Sequence, residues 1–490
     1  MQSIIGILGL RAITHPERDA VIVDNQHLSY GELWCRIGAV AQEFARRGVG
    51  IGDRILLAAP NSAAFVCAYL AAQLIGAVAV PFDPALPKAG RDDLIGRIKP
   101  KVAFGEKEHA RGGPPEVCDF SELESLPQNE TEFSPPALDS LAELVFTTGT
   151  TRHPKGVRLT HRNLAAAARH INSVIGIRES DVEVMPLPLF RTFGLARLRC
   201  NLIAGATLVL VDGFSLPGEI FTAIDRHRAT GLVGVPAGFA VLLHFGERGL
   251  GAFADRLRYI EIGSAPMPIE HKRALMDLLP KTELWMHYGL TEAARSAFIE
   301  FHRHHERLDT VGLPAPGVQL AVRGEDGLVC HSGVAGHLWI RGEHVSPGYW
   351  GDPESTVRSF VDGWVHSGDV AHLENDGFLV LHGRNDDMIN IGGFKVLPDQ
   401  IEGVLNEHLA VLESICIGVP DPRKITGQVV RAYLVPASAK ASDQELSCWV
   451  AARLERYKVP VQYTWIEALP RTSSGKLMRT VLRNQAASEL

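Results

Sequence analysis

The sequence predicts an α/β fold with a large N-terminal domain, in which mixed and parallel sheets are flanked by helices, and a small α+β C-terminal domain. Between about residues 200 and 290, short apolar runs rich in β-branched residues alternate with helical patterns. This alternation is typical of strands joined by helices in a largely parallel sheet. After Gly383 the pattern changes. The predicted strands lie at 207–211, 231–235, 259–262 and 283–287 in the large domain and at 411–419 and 429–435 in the small one, with a helix near 445–456.

Length and composition predict a globular protein of two or more domains whose partners are small molecules. The chain has 490 residues, of which 46% are apolar and 21% charged, as is usual for two or more globular domains. A net charge of −7 argues against nucleic acid or an anionic membrane as a partner. The seven widely spaced cysteines indicate reduced thiols rather than a disulfide framework. With no secretory leader and no long apolar stretch, we expect a cytoplasmic protein without a membrane span; the oligomeric state is not indicated.

The stretch 106–136 is rich in Pro, Gly, Glu and Ser and has no periodicity. Such a composition predicts a long surface excursion before the strand that ends at Phe146. We assign no chemistry to it.

A hydroxyl- and glycine-rich loop follows the apolar strand that ends at Phe146. It reads Thr147-Thr148-Gly149-Thr150-Thr151-Arg152-His153-Pro154-Lys155-Gly156-Val157. Glycine lets backbone N–H groups approach an anion, threonine hydroxyls add donors and Lys155 adds a positive charge, so the loop predicts a polyphosphate site. It is not a Walker loop, because no glycine directly precedes Lys155. Taken alone, the segment also fits a polar surface loop with a stray lysine.

Two further motifs follow strands of the predicted parallel sheet. Gly263-Ser264-Ala265-Pro266 follows the third run, and Tyr288-Gly289-Leu290-Thr291-Glu292 follows the fourth. An aromatic ring can stack on adenine, a threonine hydroxyl can bind an α-phosphate and a carboxylate can hold Mg²⁺. In isolation, a strand end followed by a helix capped by Thr291 explains the second motif better.

The last third of the chain carries an acid–base pair and a terminal lysine motif. Asp369 could accept bonds from both ribose hydroxyls and Arg384 could reach the same sugar, although a structural ion pair fits these two residues slightly better when they are read alone. Lys476 follows a Thr-Ser-Ser-Gly loop near the end of the sequence. A surface lysine in a turn is the alternative for it.

In order and spacing, these motifs resemble the adenylate-forming superfamily of acyl-CoA synthetases, aryl-CoA ligases, luciferases and nonribosomal peptide synthetase adenylation domains. The resemblance extends from Ser29-Tyr30-Gly31-Glu32-Leu33 through 336–350 to Lys476. It implies ATP-dependent activation of a carboxylic acid to acyl-AMP with release of pyrophosphate, and then transfer of the acyl group to a thiol of CoA or phosphopantetheine. Transfer to an acyl-carrier protein or directly to an amine is the alternative. A non-catalytic nucleotide-binding descendant is another, which Lys476, Thr291 and Glu292 argue against.

The resemblance also implies roles for individual residues. Lys476, Thr291, Glu292 and Arg191 are the expected catalytic residues, with Lys476 bridging the substrate carboxylate and the α-phosphate, and Glu292 is the expected Mg²⁺ ligand. The β- and γ-phosphates are expected on Thr147, Thr148, Gly149, Thr150, Thr151 and Lys155. The rest of the nucleotide is expected on Gly263, Ser264, Ala265, Pro266, His287, Tyr288, Gly289, Asp369, Arg384 and Lys395.

By the same resemblance, the chain divides into an AMP-binding domain, 1–384, and a mobile C-terminal domain, 385–490. The small domain is expected to rotate about a hinge at Asp386 and to present Gly392-Gly393 beside a pantetheine tunnel. A tight turn between strands is the alternative explanation for the two glycines.

Departures from the family pattern bear on the acid. Arg191 stands where many relatives have histidine, Arg152 replaces a glycine and His337 replaces a glutamate. No aspartate is present at this site to pair with an amino group, and an ammonium beside Arg191 would be repelled, so the acid is not expected to be an α-amino acid. The expected acyl pocket is lined by Phe190, Phe193, Arg197, Val235, Gly263 and Gly289. Arg191 and Arg197 could pair with a second carboxylate or a keto oxygen, and a solvated or phosphate-facing arginine is the alternative.

Overall fold

The computed structural model describes residues 2–24, 26–85, 88–105, 116–126, 135–146, 154–384, 387–391, 394–422, 428–472 and 477–489. These residues form two compact units. The larger unit combines the described residues up to 146 with Pro154–Leu320 and Ile340–Val365, and the smaller one combines Ala321–Trp339 with the described residues from His366 onwards.

The helices carry their own start signals. Ser29 caps α2 through a capping box with Glu32, and Thr160 caps α6 through one with Asn163. Over the described residues, no helix has the length and apolar character that crossing a bilayer requires. The helices are α1 (Ile4–Thr14), α2 (Tyr30–Arg46), α3 (Ala63–Leu74), α4 (Lys88–Ile98), α5 (Ser121–Glu124), α6 (His161–Ile175), α7 (Thr192–Ala204), α8 (Pro217–Arg226), α9 (Pro236–Leu243), α10 (Ile269–Leu278), α11 (Pro353–Ser359), α12 (Pro398–Asn406), α13 (Asp443–Ala451) and α14 (Arg479–Ser488).

The strands are short and mostly buried. They are β1 (Asp19–Val23), β2 (Gln26–Ser29), β3 (Arg54–Leu57), β4 (Val78–Pro81), β5 (Val102–Phe104), β6 (Glu116–Cys118), β7 (Leu141–Phe146), β8 (Gly156–Thr160), β9 (Val182–Met185), β10 (Thr207–Leu210), β11 (Gly231–Gly234), β12 (Tyr259–Ile262), β13 (Glu283–Tyr288), β14 (Ala297–Glu300), β15 (Leu313–Pro314), β16 (Gln319–Arg323), β17 (Gly336–Arg341), β18 (Phe360–Val361), β19 (Trp364–Leu373), β20 (Leu379–Arg384), β21 (Ile389–Ile391), β22 (Phe394–Val396), β23 (Val411–Pro420), β24 (Gln428–Pro436) and β25 (Gln462–Trp465).

The larger unit contains two extensive sheets. A nine-stranded sheet has the order β15-β14-β13-β12-β11-β9-β10-β1-β2, and its central strands from β13 to β1 pair in parallel. The four strands predicted from the apolar runs are β10 to β13 of this sheet, so the expectation of a largely parallel sheet is confirmed. A six-stranded sheet has the order β6-β5-β3-β4-β7-β8.

The prediction of a surface excursion over 106–136 is wrong for β6, which belongs to the six-stranded sheet. Strand β6 pairs in parallel with β5, and Cys118 at its end is buried. Helix α5 follows and buries Leu123. The strand has only three residues, too few for a periodic pattern to show in the sequence.

Helix α7 lies between the two sheets and carries two buried arginines. Arg197 makes two hydrogen bonds with Glu183 of β9 and one of 2.7 Å with Glu261 of β12. Two residues further along, Arg199 Nη1 lies 2.7 Å from Glu143 of β7, the strand that precedes the phosphate loop. Since buried charges are stable only when paired, these contacts fix α7 against both sheets.

The smaller unit has its own core. Strands β23 and β24 form a long antiparallel hairpin, and β25 adds to β24 in parallel. Both strands were predicted from the sequence within a residue or so of their ends. The predicted helix is α13, which starts earlier because Ser442 caps it through the backbone N–H of Glu445 and ends at Ala451.

Replacing Arg199 with leucine is expected to cost about 3–5 kcal/mol of stability, because the buried charge of Glu143 would be left with only the Tyr69 hydroxyl as a partner. Chemical unfolding of the two proteins measures this difference. Arg162→Leu is the matched control, since its partner Asp139 is largely exposed and such pairs contribute about 0–1 kcal/mol. Equal losses in the two variants would contradict the role assigned to Arg199.

Candidate active site

The phosphate loop lies at the end of the β7–β8 hairpin. Phe146 and Gly156 pair across the antiparallel strands, which brings both ends of the loop together. Thr147, Thr148, Gly149, Thr150 and Thr151 lie outside the described residues, as does Arg152. Lys155 is described and is partly buried.

Tyr349 connects the phosphate-loop lysine to the predicted metal ligand. The ammonium of Lys155 lies over the Tyr349 ring, 4.7 Å from its centroid. On the same side chain, Oη donates a hydrogen bond of 2.8 Å to Glu292 Oε1. Two motifs more than a hundred residues apart in sequence are therefore brought to one place by a tyrosine that sequence reasoning left unassigned.

The backbone around Glu292 is held on both sides. The N–H of Ser346 donates to the carbonyl of Glu292 over 2.8 Å, and Ala293 forms an antiparallel bridge with Val345. Gly289 is required here, since a Cβ at this position would lie 2.2 Å from the backbone nitrogen of Arg295. Thr291, beside Glu292, is partly buried.

The motif Gly263-Ser264-Ala265-Pro266 begins where β12 ends, at the same edge of the sheet as the end of β13. Gly263 is buried, while Ser264 and Pro266 are exposed and Ala265 is partly so. The ring of His287 lies directly on Gly263, because a Cβ there would meet its Cε1 at 2.0 Å. Ser264 has a φ of 76°, a conformation that side chains other than glycine seldom adopt.

The apolar residues of the predicted acyl pocket come from two neighbouring elements. Phe193 of α7 meets His287 edge-on, with ring centroids 4.8 Å apart. Val235 directly follows β11, the strand next to β12. Phe190 lies beside Arg191, whose guanidinium is 5.3 Å from the ring centroid.

Arg191 forms an ion pair with Asp83. Its Nη2 donates to Asp83 Oδ2 over 3.0 Å, and both side chains are partly exposed. Asp83 follows β4, so this contact joins the residue before α7 to the six-stranded sheet.

The expectation that Arg197 lines the acyl pocket needs correction. Its side chain is completely buried and is paired with Glu183 and Glu261, so it offers no surface to a substrate. Burial alone would lower the pKa of Arg197, but the two carboxylates raise it well above its usual value, and the guanidinium stays charged. Arg197 therefore supports the site from behind.

Glu261 is the centre of this buried cluster, which sequence reasoning missed. Its carboxylate lies 2.7 Å from Arg197 Nη1, from Arg295 Nε and from His287 Nδ1. Burial raises the pKa of Glu261, but Arg295 and Arg197 outweigh burial and hold it well below its usual range. A glutamate in the middle of an apolar strand, as in Tyr259–Ile262, was the signal available in the sequence.

Two buried histidines support the segment after Glu292. His170 Nε2 lies 3.2 Å from the carbonyl of Ala294, His344 Nε2 lies 3.1 Å from Ser296 Oγ, and the two rings meet edge-on. Burial lowers the pKa of His170 to about 4 and that of His344 to about 3. Both rings are thus neutral at pH 7.

The predicted ribose pair lies within the smaller unit. Asp369 of β19 and Arg384 of β20 are opposite each other across the strands, and Arg384 Nη1 lies 3.2 Å from Asp369 Oδ1. Asp369 is nearly buried and Arg384 partly exposed. Lys395 lies on β22, but its side chain is outside the described part of the structure, and so are Asp386, Gly392, Gly393 and Lys476 altogether.

Comparison with known proteins identifies the family. The model of the AMP-binding enzyme family matches residues 10–350. The chain belongs to this family. The model of the AMP-binding enzyme C-terminal domain matches residues 400–476 as well.

Individual AMP-binding enzymes resemble the chain over almost its whole length. It is 31% identical over 485 residues to a feruloyl-CoA synthase from Amycolatopsis sp, with 97% of each chain covered. It is 32% identical over 492 residues to the 2-succinylbenzoate–CoA ligase of Bacillus subtilis (strain 168), with 98% of each covered.

Solved structures of the family agree with this fold. The o-succinylbenzoate CoA synthetase MenE of Bacillus subtilis, in complex with its acyl-adenylate intermediate, matches with a TM-score of 0.88 at 30% identity, over 98% of this chain and 97% of that one. ATP-bound MatB of Rhodopseudomonas palustris matches with a TM-score of 0.90 at 27% identity, over 99% of both. The chain is an AMP-forming acid–thiol ligase. The alternative of a non-catalytic nucleotide-binding protein is therefore wrong.

Replacing Tyr349 with phenylalanine is expected to lower kcat several-fold and to raise the Mg²⁺ concentration needed for half-maximal activity, because Glu292 loses the hydroxyl that orients it. A pyrophosphate-release assay at varied Mg²⁺ measures both effects. Tyr433→Phe is the matched control, since the buried Tyr433 hydroxyl has no hydrogen-bond partner in the described structure. A Tyr349→Phe enzyme with the Mg²⁺ dependence of the control would contradict the role of Tyr349.

Acidification is expected to destabilise the larger unit progressively from about pH 6.5 to pH 4. The unfolded state binds protons in this range that buried His170 and His344 do not, so stability is lost as the pH falls, by up to about 2 kcal/mol per histidine at pH 5. Thermal unfolding at a series of pH values measures the slope. His344→Gln should reduce it, whereas the control His305→Gln, at an exposed position, should leave it unchanged. An unaltered slope in His344→Gln would argue against this assignment.

Proposed function

We propose that this enzyme uses ATP and Mg²⁺ to convert a carboxylic acid to acyl-AMP and pyrophosphate, and then transfers the acyl group to the thiol of CoA. The observation that carries the proposal is the convergence of Lys155, Tyr349 and Glu292 at the end of the β7–β8 hairpin. The names of the relatives support CoA as the acceptor, and a MenE structure contains ATP and a magnesium ion.

The residues present suit a magnesium ion. Glu292 supplies a carboxylate oxygen, the type of ligand that Mg²⁺ prefers, and Tyr349 fixes the direction of that carboxylate. A bound Mg²⁺ would neutralise phosphate charge. Thr291, next to Glu292, is assigned to the α-phosphate. The β- and γ-phosphates are assigned to Thr147, Thr148, Gly149, Thr150, Thr151 and Lys155.

The adenosine half is assigned to two places. Tyr288 and the segment 263–266 would hold the base at the ends of β12 and β13, because the two parallel strands end at one edge. Asp369 would accept hydrogen bonds from the ribose hydroxyls. Its contact with Arg384 suits this role, since the guanidinium holds the carboxylate in place and is itself partly exposed.

The second reaction needs a different arrangement of the chain. We assign residues 1–384 to the AMP-binding domain and 385–490 to a mobile domain with its hinge at Asp386. Lys476 would bridge the carboxylate and the α-phosphate in the first reaction, with Lys395 also on the nucleotide. Gly392-Gly393 would border the pantetheine tunnel in the second, since any Cβ would narrow it.

The acid is assigned on charge. The site has Arg191 where an amino-acid enzyme would need an acidic partner for the ammonium, so an α-amino acid is disfavoured. Asp83 already balances part of the Arg191 charge, and Arg197 is not available, so a second carboxylate would have to compete with Asp83 for Arg191. We therefore favour an acid with one carboxylate. ATP and CoA as co-substrates suit a cytoplasmic enzyme.

The proposed reaction is tested by mass spectrometry of the products formed with ATP, Mg²⁺ and a panel of acids that includes mono- and dicarboxylates. CoA, a phosphopantetheinylated carrier protein and amines are supplied separately as acceptors. We expect acyl-AMP, pyrophosphate and acyl-CoA from at least one monocarboxylate, and a loss of kcat of at least about tenfold in Glu292→Gln. Acyl transfer to the carrier protein or to an amine, without any transfer to CoA, would show that CoA is not the acceptor. The absence of acyl-AMP with every acid would overturn the proposal.

A further inference from the structure

The base of the phosphate loop is closed by aromatic side chains. Phe146 and Gly156 pair across β7 and β8, and the backbone N–H of Trp350 donates to the carbonyl of Gly156 over 2.7 Å. A Cβ on Gly156 would lie 2.9 Å from Phe146 Cζ and 3.3 Å from Trp350 Cβ, so only glycine fits between the two aromatic residues. The loop itself, 147–153, lies outside the described residues, and its described neighbours are Phe146 and Pro154.

Helix α4 packs beside this base. Leu94 and Ile98 of α4 belong to the apolar cluster against which Phe146 and Trp350 pack. Trp350 Nε1 donates to the carbonyl of Arg97, in the last turn of α4, over 3.4 Å. The end of the helix is thereby tied to the residues that close the loop.

The side chain of Arg97 contacts the residues on both sides of the loop. Its Nη1 donates a hydrogen bond of 2.8 Å to the carbonyl of Pro154, and its Cζ lies 5.4 Å from the centroid of the Phe146 ring. Both are directed contacts. The ion pair of Arg97 with Asp93 spans 3.7 Å between partly exposed groups and contributes little. One guanidinium therefore joins the start of the phosphate loop to its end.

The carbonyl of Pro154 matters because Lys155 comes next. The peptide bond between the two residues is planar, so a bond to its oxygen also fixes the direction in which the chain enters Lys155. The Lys155 ammonium then lies over the Tyr349 ring, and Tyr349 forms an antiparallel bridge with Val157. Arg97 thus acts on Lys155 through the backbone.

We infer that Arg97 is a positioning residue that holds Lys155 and the two ends of the phosphate loop in the arrangement that binds the β- and γ-phosphates. The enzyme then depends on Arg97 for its affinity for ATP and not for its affinity for AMP. The inference rests on the proposed function, because it assigns those phosphates to the loop and to Lys155.

The physical basis is the entropy of ordering. A contact that orders a binding loop before the ligand arrives raises affinity, because the ligand no longer has to offset that cost. AMP has only the α-phosphate, which is assigned to Thr291, so it gains nothing from an ordered loop. An arginine in the last turn of a helix also stabilises the helix dipole, but that effect changes stability and leaves the ratio of the two affinities unchanged.

Nucleotide binding without turnover tests the inference. Isothermal titration calorimetry with Mg²⁺ and no acid gives Kd for ATP and, separately, for AMP. Arg97→Met should raise Kd for ATP by about threefold to tenfold and leave Kd for AMP unchanged. Arg97→Lys should fall between the wild type and Arg97→Met, because an ammonium can donate to the Pro154 carbonyl but has no planar fork to lie over the Phe146 ring.

Arg256→Met is the matched control. Arg256 Nη1 donates to the carbonyl of Ile224 over 3.3 Å, and its Cζ lies 5.7 Å from the Phe253 ring centroid. Its side chain is 31% exposed, as is that of Arg97. It therefore loses contacts of the same kind, away from the phosphate loop, and both Kd values should stay at the wild-type level.

Steady-state kinetics gives a second readout, since Arg97→Met should raise KM for ATP and leave KM for the acid unchanged. Lys155→Ala is the positive control and should weaken ATP and spare AMP. If it does so while Arg97→Met keeps the wild-type ratio of the two Kd values, or weakens both nucleotides equally, the inference is overturned and the proposed function stands. An Arg97→Lys enzyme no better than Arg97→Met would also contradict it. Unchanged ATP affinity in Lys155→Ala would overturn the phosphate assignment, and the inference with it.

Discussion

The position of helix α7 depends on the pairing of buried charge with the sheets on its two sides. Arg197 reaches the nine-stranded sheet and Arg199 reaches the six-stranded one. Neither arginine can move away from its glutamates without leaving a charge unpaired in a dry interior, at a cost of several kcal/mol. Phe193, near the start of the same helix, is consequently held against His287, so the acyl side of the site is fixed by interactions that no ligand touches.

The phosphate side is held by different means. The loop that carries Glu292 is fixed through its backbone by Ser346 and through its side chain by Tyr349, and Gly289 permits the close approach that the turn requires. Hydrogen bonds to backbone groups set direction without adding charge. The contacts that hold Glu292 come from neutral groups, in contrast to those of Glu261, whose charge is balanced by arginines.

The sequence patterns predicted the parallel sheet and the hairpin of the smaller unit because short apolar strands separated by helices leave a clear periodic record. They did not predict β6, which is too short to show a periodic pattern. They also did not predict the role of Arg197: its charge suggested contact with a ligand, whereas its partner Glu183 lies on a strand of the sheet. Tyr349 also escaped prediction, since its contact with Glu292 depends on tertiary packing. Motif residues can be identified from their spacing in the sequence, whereas the residues that orient them are identified only from the fold.

A buried cluster of two glutamates and two arginines between a helix and a sheet gains little stability, because apolar side chains of similar volume can often replace such charges with no loss of stability. Its value must then lie in what charge can do and methyl groups cannot. In this enzyme, the cluster joins α7 to the nine-stranded sheet, because Arg197 bonds Glu183 and Glu261 while Arg295 bonds the other oxygen of Glu261. Directional contacts of this kind fix the helix against the sheet more uniquely than apolar packing does, and with it the place of Phe193 near the start of α7.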